Sequence, residues 1–431
     1  MTIHGALTVI AKIKPEMTDQ LRQKLQEIVD RDVEDNPIMP FKSLTAVHFA
    51  RWVILEEAKD LSGRVLPARL VFATDYDAPL EEHLDELVSK VGSGLATIFS
   101  HCEGFPVKDG LAAPQIRDFI RSHMVDYNTF YIGTRGRSCP QIHMEDQLRK
   151  GIVDFLDREV QRPGWANQDE VSIRKRILDF VKGPKLKWAL RPPGPPGLGF
   201  KLKYWGTLVV TLLCLLVLLP LLILAAPVWV VMLRVREKKD DEKNEKADIQ
   251  HVGDLLDTED HIVQNQMTLV SDIKPGLFRL ITQKLILWGV DFLARYKFNK
   301  GQLGGIPTIH FARWIIIDEG KRLLFFSNFD ASWENYLGDF IDKAAGGLTA
   351  VWSNTAGFPK TRFLVMDGAR DEQKFKEFVR GNQIRTQVWY SGYKDLTVNN
   401  INNNSKLRLG LSSRMSRRAR KEWLRRFGYG Q

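Results

Sequence analysis

The chain has 431 residues and a formal net charge of +10, so it has room for two or three domains and is not a single small fold. The positive charge is concentrated in residues 174–203, with nine Lys/Arg against one Asp, and in residues 411–431, with seven Lys/Arg against one Glu. The remainder is mildly acidic, which favours a membrane surface with anionic headgroups over nucleic acid as a partner. The three cysteines have no CxxC spacing, which argues against a disulfide framework or a zinc site.

An internal repeat organises most of the chain. Residues 45–59, TAVHFARWVILEEAK, match residues 307–321, PTIHFARWIIIDEGK. Residues 71–106 then match residues 324–359 without gaps. Agreement over this length predicts that the two halves share one fold.

The hydrophobic periodicity predicts the same elements in each half. The first half is predicted to contain strand 6–13, helix 16–33, strands 46–55 and 70–74, helices 80–100 and 115–122, and strand 128–132. The second half is predicted to contain strand 267–271, helix 276–293, strands 308–317 and 323–327, helices 332–352 and 372–379, and strand 387–390. This is the element order of the ferredoxin-like fold, an antiparallel sheet with helices on one face. We therefore expect an α+β protein of two tandem ferredoxin-like modules whose open sheet faces pack together as an α/β barrel.

The composition divides the chain into six segments. They are a first module at 1–180, a basic Pro/Gly-rich linker at 181–203, a membrane segment at 204–233, a charged linker at 234–260, a second module at 261–410 and a basic amphipathic tail at 411–431. The N-terminal residues favour a first strand over a cleaved signal peptide, because no charged region precedes a long apolar core.

The membrane segment is a run of 30 uncharged residues. As a straight helix it would reach roughly 45 Å, against a hydrocarbon core of about 30 Å. Two topologies remain open: one tilted span kinked by proline, or a re-entrant hairpin with Pro220 at its tip. We expect Trp205, Pro220 and Trp229 to contact lipid, and both modules to lie on one side of the membrane, the cytoplasmic side.

The C-terminal tail predicts a second membrane contact. Met415, Ala419, Trp423 and Phe427 recur every four residues among basic side chains. A helix with this pattern would lie in the headgroup layer with Trp423 and Phe427 in contact with lipid. The alternative is a disordered basic tail.

The shared HFARW sequence provides the candidate site. On a regular strand the His, Ala and Trp side chains share one face and the Phe and Arg side chains share the other. The more apolar Phe/Val face is predicted to meet the helices, so the His/Ala/Trp face would look into the space between the sheets. There the small alanine would leave a notch for a planar or apolar ligand. The residues of this predicted ligand site are Ala50, Trp52, Asp75, Ala312, Trp314 and Asn328, with His48 and His310 beside them.

The histidines and arginines of the motif are the candidate catalytic groups. His48 and His310 could act as proton donors or axial metal ligands, or else as buried structural histidines. Arg51 and Arg313, if buried, need polar partners, and Asp75 and Asn328 occupy matching positions on the next strand of each half.

The tandem layout resembles the dimeric α/β-barrel superfamily, which includes dye-decolorising peroxidases and chlorite dismutase-like haem proteins. The resemblance rests on element order and duplication, and the peroxidase GxxDG signature is absent from this sequence. It implies haem as a cofactor, with His48 or His310 as the axial ligand. Three functions follow as expectations: a membrane-attached protein that binds an apolar or amphipathic ligand between its modules, a haem-dependent peroxidase-like enzyme, or a non-catalytic membrane scaffold.

Overall fold

A computed structural model describes residues 4–77, 79–106, 113–192, 194, 197–241, 247–298 and 301–428. Residues 429–431 of the predicted basic tail and parts of both predicted linkers lie outside these ranges. The protein is of the α+β class, and its described strands form open antiparallel sheets that do not close into a barrel.

The first half contains every helix and strand predicted for it, with ends shifted by a few residues. Its elements are β1 (His4–Lys12), α1 (Thr18–Arg31), β2 (Val47–Leu55), β3 (Ala58–Lys59), β4 (Val65–Leu66), β5 (Arg69–Asp77), α2 (Leu80–Phe99), α3 (Ala113–Ser122) and β6 (Thr129–Ile132). Between the halves lie α4 (Cys139–Val160), α5 (Glu170–Val181), α6 (Leu198–Glu237) and α7 (Ile249–Leu256).

The second half repeats the order of the longer elements, has no counterpart of β3 and β4 among its described residues, and adds a short strand pair and two helices. Its elements are β7 (Gln264–Asp272), α8 (Leu277–Tyr296), β8 (Ile309–Ile317), β9 (Arg322–Asp330), α9 (Trp333–Trp352), β10 (Thr361–Arg362), β11 (Met366–Asp367), α10 (Glu372–Asn382), β12 (Val388–Ser391), α11 (Val398–Ser412) and α12 (Arg417–Arg425).

The two halves exchange their last strands. One four-stranded sheet has the order β1-β5-β2-β12 and the other β7-β9-β8-β6. β12 pairs with β2 of the first half, with Tyr390 opposite Ala50, and β6 pairs with β8 of the second half, with Tyr131 opposite Ala312. Each sheet therefore contains three strands from one half and one from the other, so the halves cannot lie on opposite sides of a membrane.

The sheets pack face to face, but through the opposite face from the one that the sequence predicted. Two apolar clusters contain side chains of both sheets, among them Phe49 with Phe311, and Val53 with Ile315. Trp52 and Trp314 lie on the outer faces, under the helices. The prediction was wrong because both faces are apolar, and alternation shows which residues share a face but not what each face meets.

A β-bulge in each half moves the histidines to the inner face. The register of β2 against β5 shifts between Val47 and Phe49, and that of β8 against β9 shifts between Ile309 and Phe311. The extra residue is His48 in one strand and His310 in the other. Because a bulge re-aims one side chain, these histidines lie on the same side as the motif arginines, contrary to the expectation for a regular strand.

The predicted membrane run forms one continuous helix. α6 has 40 residues and passes through Pro220 and Pro227 without ending, so the hairpin alternative is wrong. Among the described residues it is the one helix long and apolar enough to cross a membrane. At ~1.5 Å per residue it is about 60 Å long, twice the thickness of a hydrocarbon core.

Both ends of α6 contact α8. Near its start, the Tyr204 hydroxyl donates to the Arg295 carbonyl at 3.1 Å, and the rings of Tyr204 and Tyr296 are 4.9 Å apart. Near its end, the rings of Trp229 and Phe278 are 6.0 Å apart. Residues 216–228 between these contacts are exposed. α6 therefore runs antiparallel to α8 along the surface of the protein.

The C-terminal helix packs inside the protein instead of facing lipid. Trp423 and Phe427 are buried with Leu148, Ile177 and Leu407 of α4, α5 and α11, and the Trp423 indole donates to the Leu407 carbonyl at 3.0 Å. The prediction that Trp423 and Phe427 contact lipid was therefore wrong. The sequence could not show this, because an apolar stripe fits a protein surface as well as a bilayer.

Close packing after the exchanged strand gives a first prediction. A Cβ on Gly133 would lie 2.1 Å from the Ile309 carbonyl oxygen, whereas a Cβ on Gly381 of α10 would have no atom within 4 Å. In urea unfolding of the detergent-solubilised protein, Gly133→Ala should lower the free energy of unfolding by about 1–3 kcal/mol. The control Gly381→Ala should raise it by about 0.5–1 kcal/mol. If the two variants changed the free energy of unfolding equally, the close packing of Gly133 against β8, and with it the strand exchange, would be contradicted.

A buried histidine gives a second prediction. Desolvation lowers the pKa of His83 to about 3; this side chain stacks on Tyr76 and hydrogen-bonds Thr74. Between about pH 6 and pH 4 the unfolded chain binds a proton at His83 that the folded chain does not, so stability falls as the pH falls. Between these pH values the free energy of unfolding of His83→Gln should fall less steeply than that of the parent protein, by about 1.4 kcal/mol per pH unit. Parallel unfolding free-energy curves for the two proteins over this range would show that His83 is not buried as a neutral side chain.

Candidate functional site

The first-half histidine lies in a buried chain of hydrogen bonds. Nε2 of His48 is 2.9 Å from Oδ1 of Asp77, and Nδ1 is 3.1 Å from the Tyr393 hydroxyl. His4 adds its Nδ1 at 3.1 Å from the same Asp77 oxygen, while its Nε2 accepts from the Gly136 amide at 2.8 Å. His48 is fully buried. The hydrogen bonds therefore run Asp77–His48–Tyr393, and His4 lies beside the Asp77 end.

The protonation states in this chain follow from burial and charge. Burial opposes ionisation of Asp77, but hydrogen bonds from His4 and His48 outweigh it and hold the pKa of this carboxyl well below its usual range. Burial lowers the pKa of His4 and raises that of Tyr393 well above the ordinary phenol value. The Asp77 carboxylate therefore accepts a hydrogen bond from His48 Nε2, and the protonated Tyr393 hydroxyl shares a hydrogen bond with His48 Nδ1.

The second half reproduces part of this arrangement. His310 Nε2 is 2.6 Å from Oδ1 of Asp330. The other oxygen of each aspartate accepts a backbone amide at the start of a helix: Cys139 for Asp77 at 2.6 Å and Val398 for Asp330 at 2.8 Å. A carboxylate at a helix N-terminus stabilises that helix. Each His–Asp pair thus joins the bulged strand to α4 or α11.

The geometry does not fit a haem on either motif histidine. Both Nε2 atoms are engaged by aspartate. The free Nδ1 of His310 belongs to a fully buried ring packed against Phe49 and Tyr393. The nitrogen and oxygen atoms of His4, His48 and Asp77 are close enough to one another to hold a metal ion, but His48 Nε2 and Asp77 Oδ1 are already hydrogen-bonded to each other. The His–Asp pairs can hold the bulged strands and the following helices together without a haem or a metal ion.

The two arginines cross between the sheets. Arg313 donates to Oδ1 of Asp75 at 3.2 Å and to the carbonyl of Leu7, and Arg51 donates to Oδ1 of Asn328. The Asn328 amide donates to Asp75 at 3.0 Å. The sequence identified the correct partner residues, but each arginine uses the partner on the opposite half. Arg51, Asn328, Asp75 and Arg313, called the cross-sheet network below, therefore join the two sheets at their centre.

The remaining predicted ligand residues line the outer cores. Ala50 and Trp52 are buried under α1 and α2, where the Trp52 indole lies 3.4 Å from the Met39 sulfur. Ala312 is buried in the equivalent core of the second half.

Trp314 has a different environment from Trp52. It lines an apolar cavity of about 270 Å³ whose walls come from α8, α9 and the segment before β8, and its indole nitrogen has no hydrogen-bond partner in the described chain. At the register of the HFARW match, Gly301 and Leu303 stand at the positions of Met39 and Phe41. Of these two residues, Leu303 lines the cavity.

The cavity residues were not visible as a set in the sequence. Its lining residues are Val290, Leu293, Phe298, Leu303, Gly304, Trp314, Phe340, Lys343, Ala344, Gly347, Leu348 and Val351. A comparison of the repeats could have found the loss of Met39 and Phe41. Tyr393 and His4 were missed as well, because their positions in the other half hold Thr134 and Gln264.

The cross-sheet network gives a third prediction. Arg51→Met removes a cation whose direct partners are neutral, whereas Arg313→Met leaves the buried Asp75 carboxylate without its cation. In urea unfolding, Arg313→Met should lower the free energy of unfolding by about 3–5 kcal/mol, and Arg51→Met should lower it distinctly less. The same ranking should hold for Arg313→Gln against Arg51→Gln. A larger loss for the Arg51 variants would contradict the assigned pairing.

Comparison of this chain with protein-family models, with curated proteins and with solved structures found no match. Its function is therefore inferred from its own geometry alone.

Proposed function

We propose that this protein is attached to a membrane and binds an apolar or amphipathic small molecule with a hydrocarbon chain in the cavity beside Trp314. The observation that carries the proposal is an open apolar cavity directly behind α8, the helix along which α6 runs. This cavity replaces the ligand position expected between the sheets beside Trp52 and Trp314, since apolar side chains of both sheets pack together in the centre of that space.

The size and lining of the cavity suit hydrocarbon. Its volume of about 270 Å³ exceeds the ~150 Å³ of engineered apolar cavities that stay dry and bind benzene. Lys343 is the one charged residue among those that line it, and its ammonium group already pairs with Asp339 at 2.5 Å. A ligand would therefore gain mainly from burial of apolar surface.

The position of the cavity suits entry from lipid. Val290 and Leu293 of α8 form part of its wall, and Leu293 is also 40% exposed. The outward side of α8 carries further exposed apolar side chains: Leu277, Ile281, Leu285 and Trp288. These side chains and the exposed length of α6 give the protein the exposed apolar surface that is typical of a membrane contact.

We further interpret the two halves as tandem ferredoxin-like modules that have exchanged their last strands. The internal repeat, the matching strand orders and the matching bulges support this reading. In it, one copy has kept a filled core and the other has opened a ligand cavity.

A pair of substitutions on one helix tests the ligand site and gives a fourth prediction. Gly347 of α9 lines the cavity, and a Cβ there would meet no atom within 4 Å. Gly347→Leu should fill the cavity and weaken binding of a fluorescent fatty acid to the detergent-solubilised protein at least about tenfold, the loss expected when a cavity is occupied by the protein itself.

The matched control is Gly338→Leu on the same helix. Gly338 also has no atom near a Cβ and lines none of the described cavities, so the change in helix propensity is the same. It should leave fatty-acid binding unchanged. If both variants bind the fatty acid as tightly as the parent protein, the cavity is not the ligand site and a scaffold function gains support.

A further inference from the structure

A second cavity lies where α6 leaves the folded body. It has a volume of about 200 Å³ and is formed by the start of α6, the loop after β6 and the end of α8. Its lining residues are His4, Tyr127, Phe130, Ile132, Arg135, Phe200, Lys203, Tyr204, Thr207, Arg295 and Tyr296. This cavity is separate from the apolar one beside Trp314 and differs from it in chemistry.

Cations predominate in this cavity. Arg135, Lys203 and Arg295 all line it. Arg295 pairs with Asp291 at 2.6 Å, but no ion pair joins Arg135 or Lys203 to an acidic side chain in the described chain. The cavity therefore carries a surplus of positive charge.

Arg135 is the most buried of these three cations. It is half-buried, and its Nε has no hydrogen-bond partner among the described residues. Burial lowers the pKa of its guanidinium and the nearby charge of Arg295 acts in the same direction, whereas Tyr204 and Asp291 act in the opposite direction. A partly buried cation that forms no direct ion pair is costly, so an anion bound in the cavity would stabilise Arg135.

The location identifies the source of the anion. Lys203 and Tyr204 stand at the start of the uncharged part of α6, where a membrane helix meets the headgroup layer and where basic and aromatic side chains concentrate. Guanidinium groups bind phosphate oxygens in a bidentate manner. The cavity has room for a phosphate group while hydrocarbon chains would lie outside it, along α6.

We propose that Arg135, Lys203 and Arg295 form a binding site for the phosphate of an anionic phospholipid headgroup. The site fixes one lipid at the start of α6 and so sets the depth of the protein in the membrane. It requires contact of α6 with lipid, but it does not require the ligand cavity beside Trp314.

The test compares three probes on the full-length detergent-solubilised protein: short-chain phosphatidylglycerol, sn-glycerol 3-phosphate and inorganic phosphate. Phosphatidylglycerol should bind, and Arg135→Gln and Lys203→Gln should each weaken it by about tenfold. Arg158→Gln removes a charge from an exposed position on α4 and should leave binding unchanged. Because Lys203 is exposed, its variant remains informative if Arg135→Gln fails to fold.

The outcomes separate the sources of phosphate. Weak or absent binding of the two water-soluble phosphates, with tight binding of phosphatidylglycerol, supports the lipid site. Equal binding of inorganic phosphate and lipid would overturn the lipid assignment. Equal loss of lipid binding in Arg158→Gln would show a diffuse charge effect and overturn the site. Fatty-acid binding measured in the same variants should be unchanged, which distinguishes this site from the cavity beside Trp314.

Discussion

The exchange of β6 and β12 between the two sheets is the constraint on which the rest of the structure depends. A four-residue strand from each half completes the sheet of the other, and the cross-sheet network joins the sheets at their centre through buried hydrogen bonds. The His–Asp pairs then fix the following helices, α4 and α11, to the bulged strands. The halves are therefore one folded body, although the sequence between them contains the most hydrophobic segment of the chain.

This constraint determines what the hydrophobic segment can do. A helix that starts beside Tyr296 and ends beside Phe278 begins and ends on one body, so it does not separate two domains. It also adjoins the apolar outer side of α8. The proposed hydrocarbon site lies behind α8, and the cationic cavity lies at the start of α6. Both proposed sites thus face the part of the protein that would contact lipid, each with chemistry suited to one end of an amphipathic molecule.

The sequence predicted the helices and strands well because apolar periodicity and an internal repeat report local structure directly. It could not predict which face of β2 meets the other sheet, since Phe49 and Val53 are as apolar as Trp52 and Ile54. No residue type in the strand sequence indicates the β-bulge at His48. The exchange of β6 was equally hidden, because four residues such as Thr129–Ile132 can pair with either half. The sequence wrongly predicted that Trp423 contacts lipid, because an apolar helix face does not specify which apolar surface covers it. Arg135 was missed because it lies in a loop, where no helix or strand periodicity marks it.

Cysteine cross-linking in native membranes tests most directly that α6 begins and ends on the same body. Two pairs are made in a Cys214→Ser background, where Cys102 and Cys139 are buried: Tyr204→Cys with Tyr296→Cys, and Trp229→Cys with Phe278→Cys. A short bifunctional thiol reagent should link both pairs within single chains, and peptide mapping identifies the products. If only one pair is linked while the other stays reactive and unlinked, α6 leaves the body at one end, and the proposed arrangement in the membrane is wrong.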